Sequence, residues 1–399
     1  MDEQRFDNVT RAVAAAMPRR SALAAIGGGF AALATLGRAL AQDDATPAAD
    51  EAADGASVDP FASSRCKNDG KKCKKNKDCC SGKCKNKKCK SSGGGGSGKC
   101  KTGITYAKQW GGFGTGNTKF RNPRYVTTDT NGNVYVTDSG NWRVVVTDIS
   151  GAYQYQWGSQ GTGLNNDKFT TPTGIAAAKN SNGKWIVYVA DRALNCVKKF
   201  NDKGDWKTTW GPSGSDVSLS LNSPYGVAVG KSGTVYIADS GNNRIRVVTS
   251  NGDLDFDIYN NSNGSLNTPL GVAVIDNNDA SFIVVADTNN DRLVQFDLNG
   301  NFMKSLGSTG NGNNQFRGPG DVSVDKCGNV WVADTDNNRV VVLNKNLNWI
   351  TSYNSENKFP AGSGAPAQLS NPTSVNVDKD SHLFVVDYGN NRVFREDIS

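Results

Sequence analysis

Five times along the chain an aspartate is followed, five residues later, by an arginine: Asp138 and Arg143, Asp239 and Arg244, Asp287 and Arg292, Asp334 and Arg339, Asp387 and Arg392. Such groups make charge-assisted pairs across a turn, and five carboxylates could also build a ring of acid–base or metal-binding groups. Repetition decides between the two. A reaction needs particular residues at one place, whereas a scaffold needs the same residues in every unit. The pairs are therefore read as structural turn pairs, the carboxylate holding turn N–H groups and the guanidinium neutralising it. In a sixth copy Cys196 stands where arginine is expected, so Asp191 needs another partner, for which Arg192 is the nearest cation.

Other candidates for chemistry are few. The string Asp334-Thr335-Asp336-Asn337-Asn338 has the alternating acids of a calcium loop but lacks its glycine and distal glutamate. The single histidine, His382, cannot assemble a multi-histidine metal centre. It is also the only histidine a serine or cysteine triad could use, and no Gly-x-Ser-x-Gly elbow is present. No catalytic residue, metal or cofactor is expected. What remains are positions where the copies differ. The residues after a recurring proline are Arg124, Thr173, Tyr225, Leu270, Gly320 and Thr373, while Trp142, Arg192 and Tyr388 replace the Asn or Ser/Thr usual in the turns. Arg124, Trp142, Arg192, Tyr225 and Tyr388 are thus expected around a pocket mouth, where arginines and aromatics suit sugars, peptides or acidic groups.

The elements that must position them repeat about every fifty residues, as Pro123, Pro172, Pro224, Pro269, Pro319 and Pro372 show. Each copy holds four short apolar runs rich in Val, Ile, Tyr and Trp, separated by Gly, Asn, Asp and Ser, which predicts antiparallel strands joined by tight turns. Apolar spacing of 3.6 is missing, so helices are not expected. Four strands per unit, six units, is an all-β six-bladed β-propeller. The sixth copy stops after its third strand, and residues 104–110 resemble the fourth strands at 152–157 and 206–210, each ending in Trp-Gly. Residues 104–110 are therefore expected to close the last blade as its outer strand, removing most of the exposed edge.

The string Pro-x-Gly-Val-Ala-Val, followed by Val-Tyr-Ile-Ala-Asp-Ser-Gly-Asn-Asn-Arg-Ile in the third copy, resembles the NHL repeat of six-bladed propellers, and the resemblance covers residues 104–399. It implies the fold far more than the function, since such propellers host unrelated roles. Propeller lyases of similar fold depend on several histidines, and eukaryotic relatives often carry a RING domain. Neither pattern is present here.

Residues 1–41 read as an export signal: Arg19-Arg20 precedes a mildly apolar stretch, and Ala39-Leu40-Ala41 offers a cleavage site. The leader resembles a twin-arginine signal, so an extracellular or envelope location in a bacterium is expected, with no spanning segment after cleavage. The uncleaved anchor is the alternative. Residues 42–64 form an acidic linker, residues 65–90 a basic six-cysteine unit, residues 91–103 a Gly/Ser-rich tether, and residues 104–399 the propeller. From Arg65 to Lys101 there are 14 Lys or Arg against 2 acids, while the propeller carries about −1, so the basic character belongs to the small unit. It should favour anionic surfaces, and with no interleaved aromatics it should not read nucleic-acid sequence. The cysteines Cys66, Cys73, Cys79, Cys80, Cys84 and Cys89 are read as three disulfides in an exported chain, with fifteen pairings open. The adjacent Cys79-Cys80 resembles the inhibitor cystine knot, or knottin, which implies Cys66–Cys80, Cys73–Cys84 and Cys79–Cys89. A further bond between Cys100 and Cys327 is expected on one face of the disc. The reading is an exported, non-enzymatic binding or scaffold protein whose propeller face recognises a protein, peptide or glycan. A metal-dependent lactonase- or lyase-like enzyme is the rival, and a toxin-like knottin carried by the propeller a third.

Overall fold

The computed structural model describes residues 84–85, 88–89, 101–211, 219–261, 264–277, 280–354 and 368–399. The chain divides into two units, Met1–Gly93 and Gly94–Ser399. In the first, Cys84–Lys85 and Lys88–Cys89 pair as a short antiparallel hairpin. The expected leader, the acidic linker, most of the cysteine-rich unit with its disulfides, Cys100 and nearly all of the tether lie outside the described residues.

The second unit contains six four-stranded antiparallel sheets, five of them running in chain order from the centre outwards and the sixth taking its outermost strand from residues 104–111. They are called blades 1 to 6, starting at residues 123, 172, 224, 269, 319 and 372. The ring closes as the sequence predicts: Ile104–Gly111 pairs antiparallel with Arg392–Ile398, completing blade 6. Each blade opens on its proline, paired with the aspartate of the next strand, and the register then slips at a bulge. Proline is tolerated there because the innermost strand has no neighbour on its channel side. Between the second and third strands a single 3-10 turn follows that aspartate in five blades, ending on a residue with φ near +50°.

Burial between blades comes from strand alternation, with one apolar face of each blade packed on the next. The fourth-strand tryptophans act as wedges. Trp110, Trp157 and Trp210 lie beneath Gly151, Gly204 and Gly252, turn glycines of the following blade whose missing Cβ leaves room for an indole. In the centre, Gly174 and Gly226 let neighbouring innermost strands approach, since a Cβ there would lie 2.0 Å and 2.5 Å from the carbonyls of Tyr225 and Leu270. The disc thus has two faces. The 3-10 turns and blade entries form the turn face, and the hairpins joining each first and second strand form the hairpin face. Among the described residues no helix is long and apolar enough to cross a membrane.

Candidate functional site

All five Asp–Arg pairs form, at 2.6–2.7 Å from Nε to Oδ2. Each aspartate is fully buried. The N–H group it holds differs from the expected one. None of these aspartates caps its own 3-10 turn. Each accepts instead from the segment entering its own blade: Arg121, Asn222, Asn267, Arg317 and Ser370 donate their backbone N–H at 2.6–2.8 Å. Burial pushes the carboxyls of Asp138, Asp334 and Asp387 above the usual range, against the pull of those donors and the guanidinium. The arginines also reach that segment's carbonyls, Arg339 donating to Asn311, Gly312 and Gln315. Asp334, the first acid of the string that resembles a calcium loop, is thus committed to Arg317, Asn337 and Arg339.

Blade 2 solves the missing arginine differently from the sequence expectation. Asp191 accepts from the backbone N–H groups of Thr170, Thr171 and Leu194, and not from the Arg192 side chain. The carbonyls that an arginine would bind are taken by Lys198, two positions along the strand, which donates to Gly163, Asn166 and Lys168. Cys196 is a buried free thiol, pushed up to about 12 by burial and by the nearby Asp191 carboxylate. Cys327 is disulfide-bonded, and the expected partner Cys100 lies outside the described residues.

Two further clasps tie blade to blade on the turn face. A Ser or Thr hydroxyl donates to the next blade's proline carbonyl, as Ser240 to Pro269, Thr288 to Pro319 and Thr335 to Pro372. The amide or carboxylate of the positive-φ residue accepts the N–H just before that proline, as Asn195, Asn243, Asp291, Asn338 and Asn391 do. The positions singled out in the sequence are where these clasps change. Arg192 and Tyr388 replace the hydroxyl residue, and Trp142, at φ 54°, replaces the amide.

Arg192 and Tyr388, in place of the clasp hydroxyls, meet Tyr225 and Arg124, which follow the blade prolines, over the channel. The Arg124 Nη1 donates to the Tyr225 hydroxyl at 2.9 Å, and its guanidinium lies 4.8 Å from the centre of the Tyr388 ring. Arg192 sits 5.8 Å from the centre of the Tyr225 ring. All four are partly exposed. Trp142 packs on the adjoining apolar cluster of Tyr125 and Trp157. Thr173, another position after a proline, is fully buried.

The floor of this mouth is Tyr125, which sequence reasoning missed. Its hydroxyl reaches across the channel to the carbonyls of Leu270 and Gly320, at 3.0 and 3.1 Å. The sign was available: Gly174, Gly226 and Gly271 hold the equivalent place in blades 2 to 4, so a tyrosine there is a departure from the repeat. Beyond it, towards the hairpin face, lies a channel cavity of about 260 Å³. Its wall includes Asp321, pushed up to about 7 by burial even though Ser374 and Val375 donate to it. His382 is on the hairpin face, its Nδ1 2.7 Å from Asp378. Among the described residues no three His, Cys, Asp or Glu side chains converge as a metal-binding group.

This geometry defines a six-bladed β-propeller with a channel stoppered below one decorated mouth. The NHL repeat model matches residues 221–248 and 316–343, in blades 3 and 5, so the propeller carries NHL repeats. The chain is similar in fold to a streptogramin B lyase, at 13% identity and a TM-score of 0.51, over 74% of this chain and 98% of that one. A structural genomics protein of unknown function from Bacteroides thetaiotaomicron aligns at 14% identity and a TM-score of 0.54, over 79% and 78%. Virginiamycin B lyase from Staphylococcus aureus aligns at 13% and 0.50, over 73% and 99%. At such identities the likeness is one of fold. No curated protein matches the sequence.

Proposed function

We propose that this is an exported binding protein without catalytic activity, whose turn face recognises a partner, peptide or glycan, through acidic groups. The reading rests on the cluster of Arg124, Tyr225, Arg192 and Tyr388, two guanidiniums held against two phenol rings around a stoppered channel. Guanidiniums braced by aromatic faces are pre-organised to form forked hydrogen bonds with carboxylates. The enzyme reading would need donors that this mouth does not gather, the only histidine being engaged with Asp378 on the other face. The lysine-rich unit, in this picture, holds the protein near anionic surfaces.

A peptide and glycan array probed with the full protein tests the proposal. Acidic members should be enriched, and the Arg124→Met/Arg192→Met variant should bind them some 10- to 100-fold more weakly, the worth of one charge-assisted hydrogen bond. Hits that are neutral, or unchanged in the variant, refute it.

A further inference from the structure

On the hairpin face, away from the decorated mouth, blades 2 and 3 frame a second cavity of about 420 Å³, large enough for a sugar-sized ligand. Lys179, Lys199 and Lys231 line it, together with Tyr188 and polar groups such as Asn180 and Ser232, and no acidic residue does. Lys199 is the built part. Its ammonium lies 5.6 Å from the Tyr188 ring and 5.7 Å from the Trp210 ring, and donates to the Ser250 carbonyl of the next blade at 2.7 Å. That accounts for one of three N–H donors.

The other blade joints show how unusual this is. The equivalent residue of blade 4, Gln295, makes the same cross-blade bond to Lys345 without a charge, 3.2 Å. In blade 6 it is Arg395, which bonds Ile149 across the joint and carries its own counter-ion, Asp397, at 2.8 Å. Lys199 has no carboxylate within ion-pair distance among the described residues. The first residue of the hairpin turn differs in the same sense. In blades 1, 5 and 6 it is Asp129, Asp325 or Asp378, whose carboxylate accepts turn N–H groups. In blade 2 Asn180 accepts the equivalent N–H groups of Asn182 and Lys184 without a charge, and in blade 3 the position is Gly230. Carboxylates are thus absent from the two turns that flank the lysines.

We propose that this cavity is an oxyanion site, holding the phosphate of a ligand of sugar-phosphate size between Lys199, Lys179 and Lys231. Three ammoniums around a walled cavity match a dianion, and lysine binds phosphate as a point charge. The hydroxyl and amide groups of the rim suit a hydroxylated body.

Calorimetric titration of the full-length protein with inorganic phosphate, glucose 6-phosphate and glucose tests it. The Lys179→Ser/Lys231→Ser variant removes two exposed charges and spares the Ser250 strut, while Lys199→Met removes the central one. The wild type should bind phosphate or glucose 6-phosphate, and both variants should bind roughly tenfold or more weakly. A preference for glucose 6-phosphate assigns a phosphorylated ligand, and equal binding assigns free phosphate. Equal affinities in wild type and variants place the anion elsewhere on this basic chain and overturn the proposal. So does no binding of either anion, or glucose binding as well as its phosphate.

Discussion

Replacing Glu396 with leucine should stabilise the propeller, and the gain should grow with pH. Glu396 lies in the strand that the N-terminal segment completes, opposite Tyr106. It alternates with Phe394 and Ile398, which pack on Trp331, Val342 and Tyr353 of blade 5. Equivalent positions in the other blades are Thr147, Phe200, Val248, Phe296 and Leu343, so a carboxyl stands in a slot that is apolar in four of the five. It has no exposed surface, and neither oxygen has a hydrogen-bond partner. Burial, with a smaller push from Asp397, raises its pKa from 4.5 to about 8. The folded state therefore keeps the proton while the unfolded chain releases it. Stability from this group is full below pH 4.5, declines as pH rises towards 8, and is flat above.

The slope is ~1.4 kcal/mol per pH unit, so the loss across the window approaches about 5 kcal/mol. Leucine also removes an unsatisfied polar group, worth a further ~1–3 kcal/mol at any pH. Glutamine should abolish the slope and keep that unsatisfied group. Urea unfolding at pH 5, 6, 7 and 8 measures both, and the wild-type-minus-variant difference cancels the other carboxyls whose pKa is raised. A leucine variant whose stability runs parallel to the wild type over this range would refute the reasoning.

Four further substitutions test the scaffold. Arg339→Met should cost about 3–5 kcal/mol in denaturant unfolding, because it strands the buried Asp334 and three loop carbonyls; Arg244→Met, whose side chain is more exposed, should cost less. Trp110→Ala should lose about 3–5 kcal/mol by emptying the space below Gly151 at the ring's closure, and an unchanged melting temperature would speak against closure as a source of stability. Trp142→Asn should raise stability by about 1 kcal/mol in the same assay, by restoring a residue at ease with positive φ, and should weaken binding at the turn face; a variant that gains stability and binds as before removes Trp142 from the site.

The wheel itself was legible in the sequence because its signals are redundant. Six prolines, the Asp–Arg spacing and the Trp-Gly ends all report one blade geometry, and the truncated last copy announced the borrowed strand. The expectations for the leader, the acidic linker and the cysteine-rich unit's disulfides fall outside the described residues. What could not be read was which donor meets which acceptor. Asp138 and its equivalents hold the N–H groups of the segment entering the blade, some seventeen residues upstream, a pairing set by how the strands stack and not by local spacing. Lys198 substitutes for an arginine two positions away because a lysine stem from there reaches the same carbonyls, a matter of reach in three dimensions. Tyr125 needed the channel's width to be known before its role could be stated.

The departures from the repeat also share a location, and this gives the candidate mouth its weight. Tyr388, Arg124, Trp142, Arg192 and Tyr225 belong to blades 6, 1, 1, 2 and 3, one continuous sector of the ring. Each clasp given up forfeits a hydrogen bond of about 1 kcal/mol, and Trp142 adds the strain of a bulky residue at positive φ. Blades 4 and 5 keep both clasps at their outgoing joints, and blade 3 does the same. A fold indifferent to its turn face has no reason to spend several weak interactions in one sector while keeping them in the other. Two of the lost clasps put Arg192 and Tyr388 where they meet Tyr225 and Arg124, so the same substitutions that weaken the sector supply half of the side chains that could bind there.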